Sequence, residues 1–83
     1  MNIILRLPDV RQRTGKSRST IYAECAAGLF PRPVRLGQRA VGWPAHEVDK
    51  ILAARIAGAS DHRIRQLVAE LTAARQHGGC RHG

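Results

Sequence analysis

The chain has 83 residues, with 14 basic and 6 acidic side chains and a formal net charge of +8. That length supports one hydrophobic core, not two. The absence of any run of about 18 apolar residues excludes a membrane-spanning helix, and two cysteines, Cys25 and Cys80, are too few for a disulfide framework.

Ile3-Ile4-Leu5 reads as a short extended lead-in. Leu7-Pro8-Asp9 starts a helix, because proline is tolerated at the first helical position and an acid suits the positive end of the dipole. Gly15 stops that helix after Thr14. Ser17 is the N-cap of the next, which is compatible with helix as far as Gly28. Ile21 and Cys25 share its inner face, with Ser19, Tyr22, Ala23 and Ala26 on the opposite side. Only Gly15-Lys16-Ser17 separates the two helices, the tight glycine-containing turn of a helix-turn-helix.

Pro31 and Pro33 then favour extended chain. Val34-Arg35-Leu36 and Ala40-Val41-Gly42-Trp43 flank a Gly37-Gln38 turn and predict a hairpin. Pro44 opens a third helix with the apolar stripe Val48, Ile51, Leu52 and Ile56, and Gly58 ends it. Ser60 caps a fourth helix through about Arg75, striped by Ile64, Leu67, Val68 and Leu71. The fold class expected is mainly α with a small β-hairpin: a winged helix-turn-helix over residues 1–58, an extra C-terminal helix over 59–76, and a flexible tail over 77–83.

Charge is unevenly placed. Residues 1–44 hold eight basic and two acidic side chains, against six and four in residues 45–83. Only Lys16 and Lys50 are lysine, so twelve cations are arginine, whose planar fork suits phosphate oxygens and guanine edges. A front half this positive points to a polyanionic partner.

Leu5-Arg6-Leu7-Pro8-Asp9-Val10, Thr14-Gly15, Ser17-Arg18-Ser19-Thr20-Ile21-Tyr22, Gly28-Leu29-Phe30-Pro31-Arg32-Pro33-Val34 and Val41-Gly42-Trp43-Pro44 resemble the AlpA-type phage regulators, which are similar to the small MerR-like excisionases. The resemblance spans roughly residues 4–57. It implies that the second helix enters the major groove of double-stranded DNA while the hairpin wing lies on the backbone or in the minor groove. It further implies a transcription regulator of a mobile element, or a recombination directionality factor that favours excision. Ala23 and Glu24 stand where the family often carries Arg and an aliphatic residue, so the family's base preference does not carry over; Ile51 replaces a frequent Trp.

The base-contacting candidates are Arg18, Ser19, Tyr22 and Ala23, near the helix end that reaches base edges in this motif. Their bland alternative is a solvated helix face. Ser17, Thr20, Lys16, Arg32, Arg35, Gln38 and Arg39 are backbone and wing candidates, although edge-strand charges also serve to prevent aggregation. Arg11 and Arg13 flank the first helix and are weighed as backbone clamps. Phe30 and Trp43 each sit beside a proline at an element junction, where packing is the expected role.

No metal or cofactor is expected, because His77, Cys80 and His82 are one ligand short of a structural zinc site. No nucleophile, base and orienting group converge, so no enzyme is expected. The start of the chain lacks a basic n-region, so a cytoplasmic protein is expected.

A single module of this size buries a modest area on DNA. The stripe Ile64, Leu67, Val68 and Leu71 is therefore read as a subunit contact for self-association on DNA; folding back onto the chain's own core is the competing reading. An integrase or RNA polymerase would be a further partner. Two rival functions use the same residues differently. A protein-interaction module, antitoxin-like or a phage adaptor, would work through the last helix, and a basic RNA-binding protein would show no preference for a defined duplex.

Overall fold

A computed structural model describes residues 3–79, with side chains through Arg75. The elements run β1 (Ile4–Leu5), α1 (Leu7–Thr14), α2 (Arg18–Ala27), β2 (Val34–Arg35), β3 (Val41–Pro44), α3 (Ala45–Ile56) and α4 (Asp61–Gly79). The fold is mostly helical with one small antiparallel sheet, an order compatible with a small winged helix-turn-helix domain.

The local punctuation works as the residue chemistry dictates. Asp9 accepts from the Arg6 backbone N–H at 3.3 Å and so holds the entry to α1. Gly15 takes a left-handed conformation, φ 71°, that a side chain would strain, and its N–H returns to the Arg11 carbonyl at 2.8 Å. Two residues later the Ser17 hydroxyl accepts from the Thr20 N–H at 3.2 Å and starts α2. The α1–α2 turn is therefore fixed at both ends by short-range bonds.

The sheet has three strands in the order β1-β3-β2, one more than the hairpin legible in the sequence. The lead-in pairs with β3 in the register Ile4 to Pro44 and Leu5 to Trp43, while Val34 faces Gly42 and Arg35 faces Val41 across the hairpin. Gly42 is the residue that lets β1 close in. A Cβ there would run into Ile4 Cγ2, and would stand 3.0 Å from the Leu5 carbonyl and 3.1 Å from Leu36 Cδ1.

Trp43 is fully buried at the centre of the core. Its indole N–H donates to the Pro31 carbonyl at 2.8 Å, and its ring lies 6.5 Å from Phe30 and 6.0 Å, edge to face, from Tyr22. Both large core aromatics are packing anchors, as their proline neighbours suggest. On α3, Val48 and Ile51 are buried and Leu52 is half-buried, but Ile56 is 87% exposed because the last turn runs beyond the core.

The fourth helix corrects the reading of its stripe as a subunit contact. Ile64, Val68 and Leu71 are 0, 8 and 6% exposed and belong to the same cluster as Val48, Ile51 and Trp43, with Leu67 half-buried against it. Side chains enclosed in their own core are not free to face a second copy. α4 also continues to Gly79, past the expected end near Arg75, into the segment read as a tail; residues 80–83 lie outside the described part.

One ion pair explains why α4 lies where it does. Glu47, 1% exposed on α3, receives Nε of Arg75 at 2.8 Å and Nη2 at 2.5 Å. The same Nη2 donates to the Arg32 carbonyl at 2.8 Å. A bidentate guanidinium thus compensates a buried carboxylate and joins α4 to α3 and to the approach of the hairpin. At the other end, Arg65 Nε donates to the Ala27 carbonyl at 3.1 Å, satisfying a free carbonyl at the end of α2.

Candidate nucleic-acid interface

The distribution of paired and unpaired charge defines a surface. All six carboxylates are engaged in structural contacts. Asp9 caps α1; Asp49 pairs with Arg13 at 2.8 Å; Glu24 with Lys16 at 2.7 Å; Asp61 with Arg55 at 3.0 Å; Glu70 approaches Arg63 at 3.9 Å; and Glu47 holds Arg75. Among the described residues, the cations without a carboxylate are Arg6, Arg11, Arg18, Arg32, Arg35, Arg39, Lys50 and Arg65. Six of those eight precede residue 44, at the β1–α1 junction, on α1 and α2, and on the hairpin and the segment leading into it. Neutralisation elsewhere leaves the positive potential on these elements.

The α2 candidates divide by side-chain size. Arg18, Ser19, Thr20, Tyr22, Ala23 and Ala26 are all exposed, whereas Ile21 and Cys25 face inward and are buried. The Arg18 guanidinium carbon lies 5.8 Å from the centre of the Tyr22 ring, within the range of cation–π attraction. Tyr22 itself is only 36% exposed, because one ring edge packs against Trp43. Thr20 shares a 3.0 Å hydrogen bond with the Ser17 hydroxyl, so both serve the helix cap.

Lys16 is paired within the chain. Its ammonium donates to both Glu24 oxygens, at 2.7 and 2.8 Å, which neutralises the charge read as a backbone clamp. Arg13 is similarly committed to Asp49. Arg11 keeps an unpaired charge beside the α1–α2 turn and, with Pro8, Gln12, Gly15, Lys16 and Ser17, lines an open groove there. On the hairpin, Arg32, Arg35, Gln38 and Arg39 are exposed, and Arg35 reaches back to the turn carbonyls of Gly37 at 3.3 Å and Gln38 at 3.5 Å.

Sequence reasoning missed Arg6 as an unpaired cation at the β1–α1 junction. It also missed Arg65, which acts on α2 from the far helix. Composition carries no signal for either: Arg6 is left unpaired by which acids are consumed elsewhere, and Arg65 depends on a backbone carbonyl 38 residues away.

Cys25 is a buried thiol. It donates to the Pro31 carbonyl at 3.3 Å, and burial pushes its pKa above the ordinary thiol value. In a Cys80→Ser chain, native Cys25 is expected to resist a disulfide reagent at pH 8 and to react fully once unfolded; rapid modification of the native form would contradict the burial. The folded pKa lies above the unfolded one. The thiol's stabilising contribution is thus complete below the unfolded value and is lost as pH rises through the folded value. Thermal stability measured against pH should accordingly decline more in the alkaline range for this chain than for one that also carries Cys25→Ala.

Among the described residues, no cluster of three metal-ligating side chains occurs, and no helix is long and apolar enough to cross a membrane. The His77, Cys80 and His82 group lies outside the described side chains.

Comparison with known proteins places the sequence in a family. A family model described as "Prophage CP4-57 regulatory protein (AlpA)" matches residues 3–56. The chain is 48% identical over 54 residues to uncharacterized protein ORF88 of Enterobacteria phage P4, covering 65% of this chain and 61% of that protein's length. It is 41% identical over 58 residues to DNA-binding transcriptional activator AlpA of Escherichia coli (strain K12), covering 63% and 83% respectively. No solved structure gives a significant match. The matched span contains both helices of the tight turn, the whole sheet and α3, and on that basis the chain belongs to the AlpA family of prophage regulatory proteins.

Proposed function

We propose that this protein is a sequence-specific duplex-DNA binder of a mobile genetic element, a winged helix-turn-helix in which α2 enters the major groove and the β2–β3 hairpin follows the backbone. The observation that carries this reading is the engagement of every carboxylate in structure, leaving unpaired arginines on α1, α2 and the hairpin. Family membership and the name of the E. coli relative support it.

Two biological roles share this interface. In transcription control, a bound copy contacts RNA polymerase. In excision, several copies occupy and bend a site for a separate integrase. The activator name of the E. coli relative favours the first. Cooperative occupancy, where it operates, uses a surface other than the enclosed Ile64, Val68 and Leu71.

Selection from a random duplex library tests the proposal. One enriched motif, bound orders of magnitude more tightly than random DNA, is the expected result; equal binding to all duplexes, or preferential binding to RNA, would sink it. On the enriched site, Arg35→Ala and Arg39→Ala should each weaken specific and random DNA alike. Each phosphate contact removed reduces the slope of log affinity against log salt by about one. Unchanged slopes in both variants would remove the hairpin from the backbone.

A further inference from the structure

The outward face of α2 is chemically sparse. Its first residue, Arg18, is long and charged, while Ser19, Ala23, Ala26 and Ala27 are short. Short side chains let the helix backbone approach the floor of a groove. They also leave few groups able to discriminate one base from another. Ser19 and Tyr22 each carry one hydroxyl, which either donates or accepts and tolerates several bases. Only Arg18 presents two parallel donors.

Three observations fix how those donors are held. Arg18 finds no carboxylate among the described residues, since the acid of its own helix, Glu24, is occupied by Lys16. Its guanidinium instead rests over the Tyr22 ring, one turn along the outward face. Tyr22 is in turn seated edge-on against Trp43, which is locked by its bond to the Pro31 carbonyl. The stack runs from the core outward, from Trp43 through Tyr22 to the Arg18 guanidinium. A guanidinium held on a ring loses less freedom on docking than one in open solvent. The geometry suits the O6 and N7 acceptors of guanine, the bidentate partner of arginine in the major groove. Ala23 lies five residues further on, about 140° around the helix from Arg18, its methyl exposed opposite the buried Ile21 and Cys25. An alanine methyl at base level meets the 5-methyl of thymine.

We propose that α2 reads a guanine through Arg18 and a nearby thymine methyl through Ala23, with Tyr22 acting as the positioning residue for the guanidinium. This rests on duplex-DNA reading by α2 and specifies which bases it takes.

The test uses the full chain and its library-selected site. Replacing the predicted guanine by 7-deazaguanine removes N7 while keeping the base pair, and replacing the thymine by uracil removes only the methyl. Wild-type affinity is expected to fall about 5-fold or more with loss of the N7 arm, the lower end of the range for a whole bidentate contact, and severalfold with uracil. Arg18→Ala should bind the guanine and 7-deazaguanine duplexes equally, and Ala23→Gly should bind the thymine and uracil duplexes equally. Tyr22→Phe, which keeps the ring, should retain the sensitivity to 7-deazaguanine. Tyr22→Leu should lose most of it with an unchanged salt slope.

An Arg18→Ala chain that still discriminates 7-deazaguanine overturns the guanine assignment, and insensitivity of the wild type does the same. Loss of discrimination in Tyr22→Phe assigns the hydroxyl, not the ring, and overturns the positioning role. Failure to enrich any duplex motif removes the underlying DNA-reading proposal together with this one, whereas an enriched motif without these sensitivities removes this one alone.

Discussion

A chain ending at Gly58 is expected not to fold, even though it retains every residue matched by the family model. The reason lies in what α4 covers. Ile64, Val68 and Leu71 are enclosed with Val48, Ile51 and Trp43 in one cluster. Fully burying an aliphatic side chain stabilises by about 1.5–3 kcal/mol, so three of them contribute about 5–9 kcal/mol. That is comparable with the whole stability of a small domain, about 5–15 kcal/mol. The truncation also strips Glu47 of its guanidinium and the end of α2 of Arg65. Thermal melts followed by circular dichroism decide the matter: the full chain should show a cooperative transition and the 1–58 chain none. A truncated chain melting cooperatively close to the full-length temperature would mean that α4 is an appendage. Ile64→Ala within the full chain is a milder form of the same test, with an expected cost of about 2–5 kcal/mol.

Features set by neighbouring residues were legible in the sequence. Gly15, Ser17, Gly28 and Pro44 mark helix ends through their own backbone preferences, and all four stand at the boundaries of α1, α2 and α3. The outward set on α2 follows from helical periodicity alone, with Ile21 and Cys25 inside and Ser19, Tyr22, Ala23 and Ala26 outside. Long-range pairing was not legible. The two apolar residues of β1 say nothing about joining β3, and the ion pairs Arg13–Asp49 and Arg75–Glu47 span 36 and 28 residues.

The α4 stripe shows the same limit in another form. An amphipathic helix specifies that its apolar face is covered, but not by whom. The acid at Glu47 supplied the missing information in disguise. In the first turn of α3 it reads as a residue favoured by the helix dipole, yet its burial makes it a socket for a cation from elsewhere in the chain.

That socket leads to the second large effect. Arg75→Ala leaves the Glu47 carboxylate enclosed without its bidentate partner and deprives the Arg32 carbonyl of a donor. Breaking a buried pair from one side costs about 3–5 kcal/mol, and in a domain of this size each kcal/mol shifts Tm by about 4–8 °C. A fall of more than 10 °C is therefore expected. Arg75→Lys should recover only part of it, since a single ammonium does not reproduce the planar fork that meets both carboxylate oxygens and the Arg32 carbonyl together. The combined Glu47→Leu and Arg75→Met chain should melt near the wild-type temperature or above it, because neither charge is then taken out of water. With the single variants Glu47→Leu and Arg75→Met, the wild type and the combined chain form a double-mutant cycle in which the combined change is far smaller than the sum of the single ones. Additive losses would instead show that Glu47 and Arg75 act independently, and that the guanidinium stabilises α4 by covering apolar surface with its stem and not by pairing.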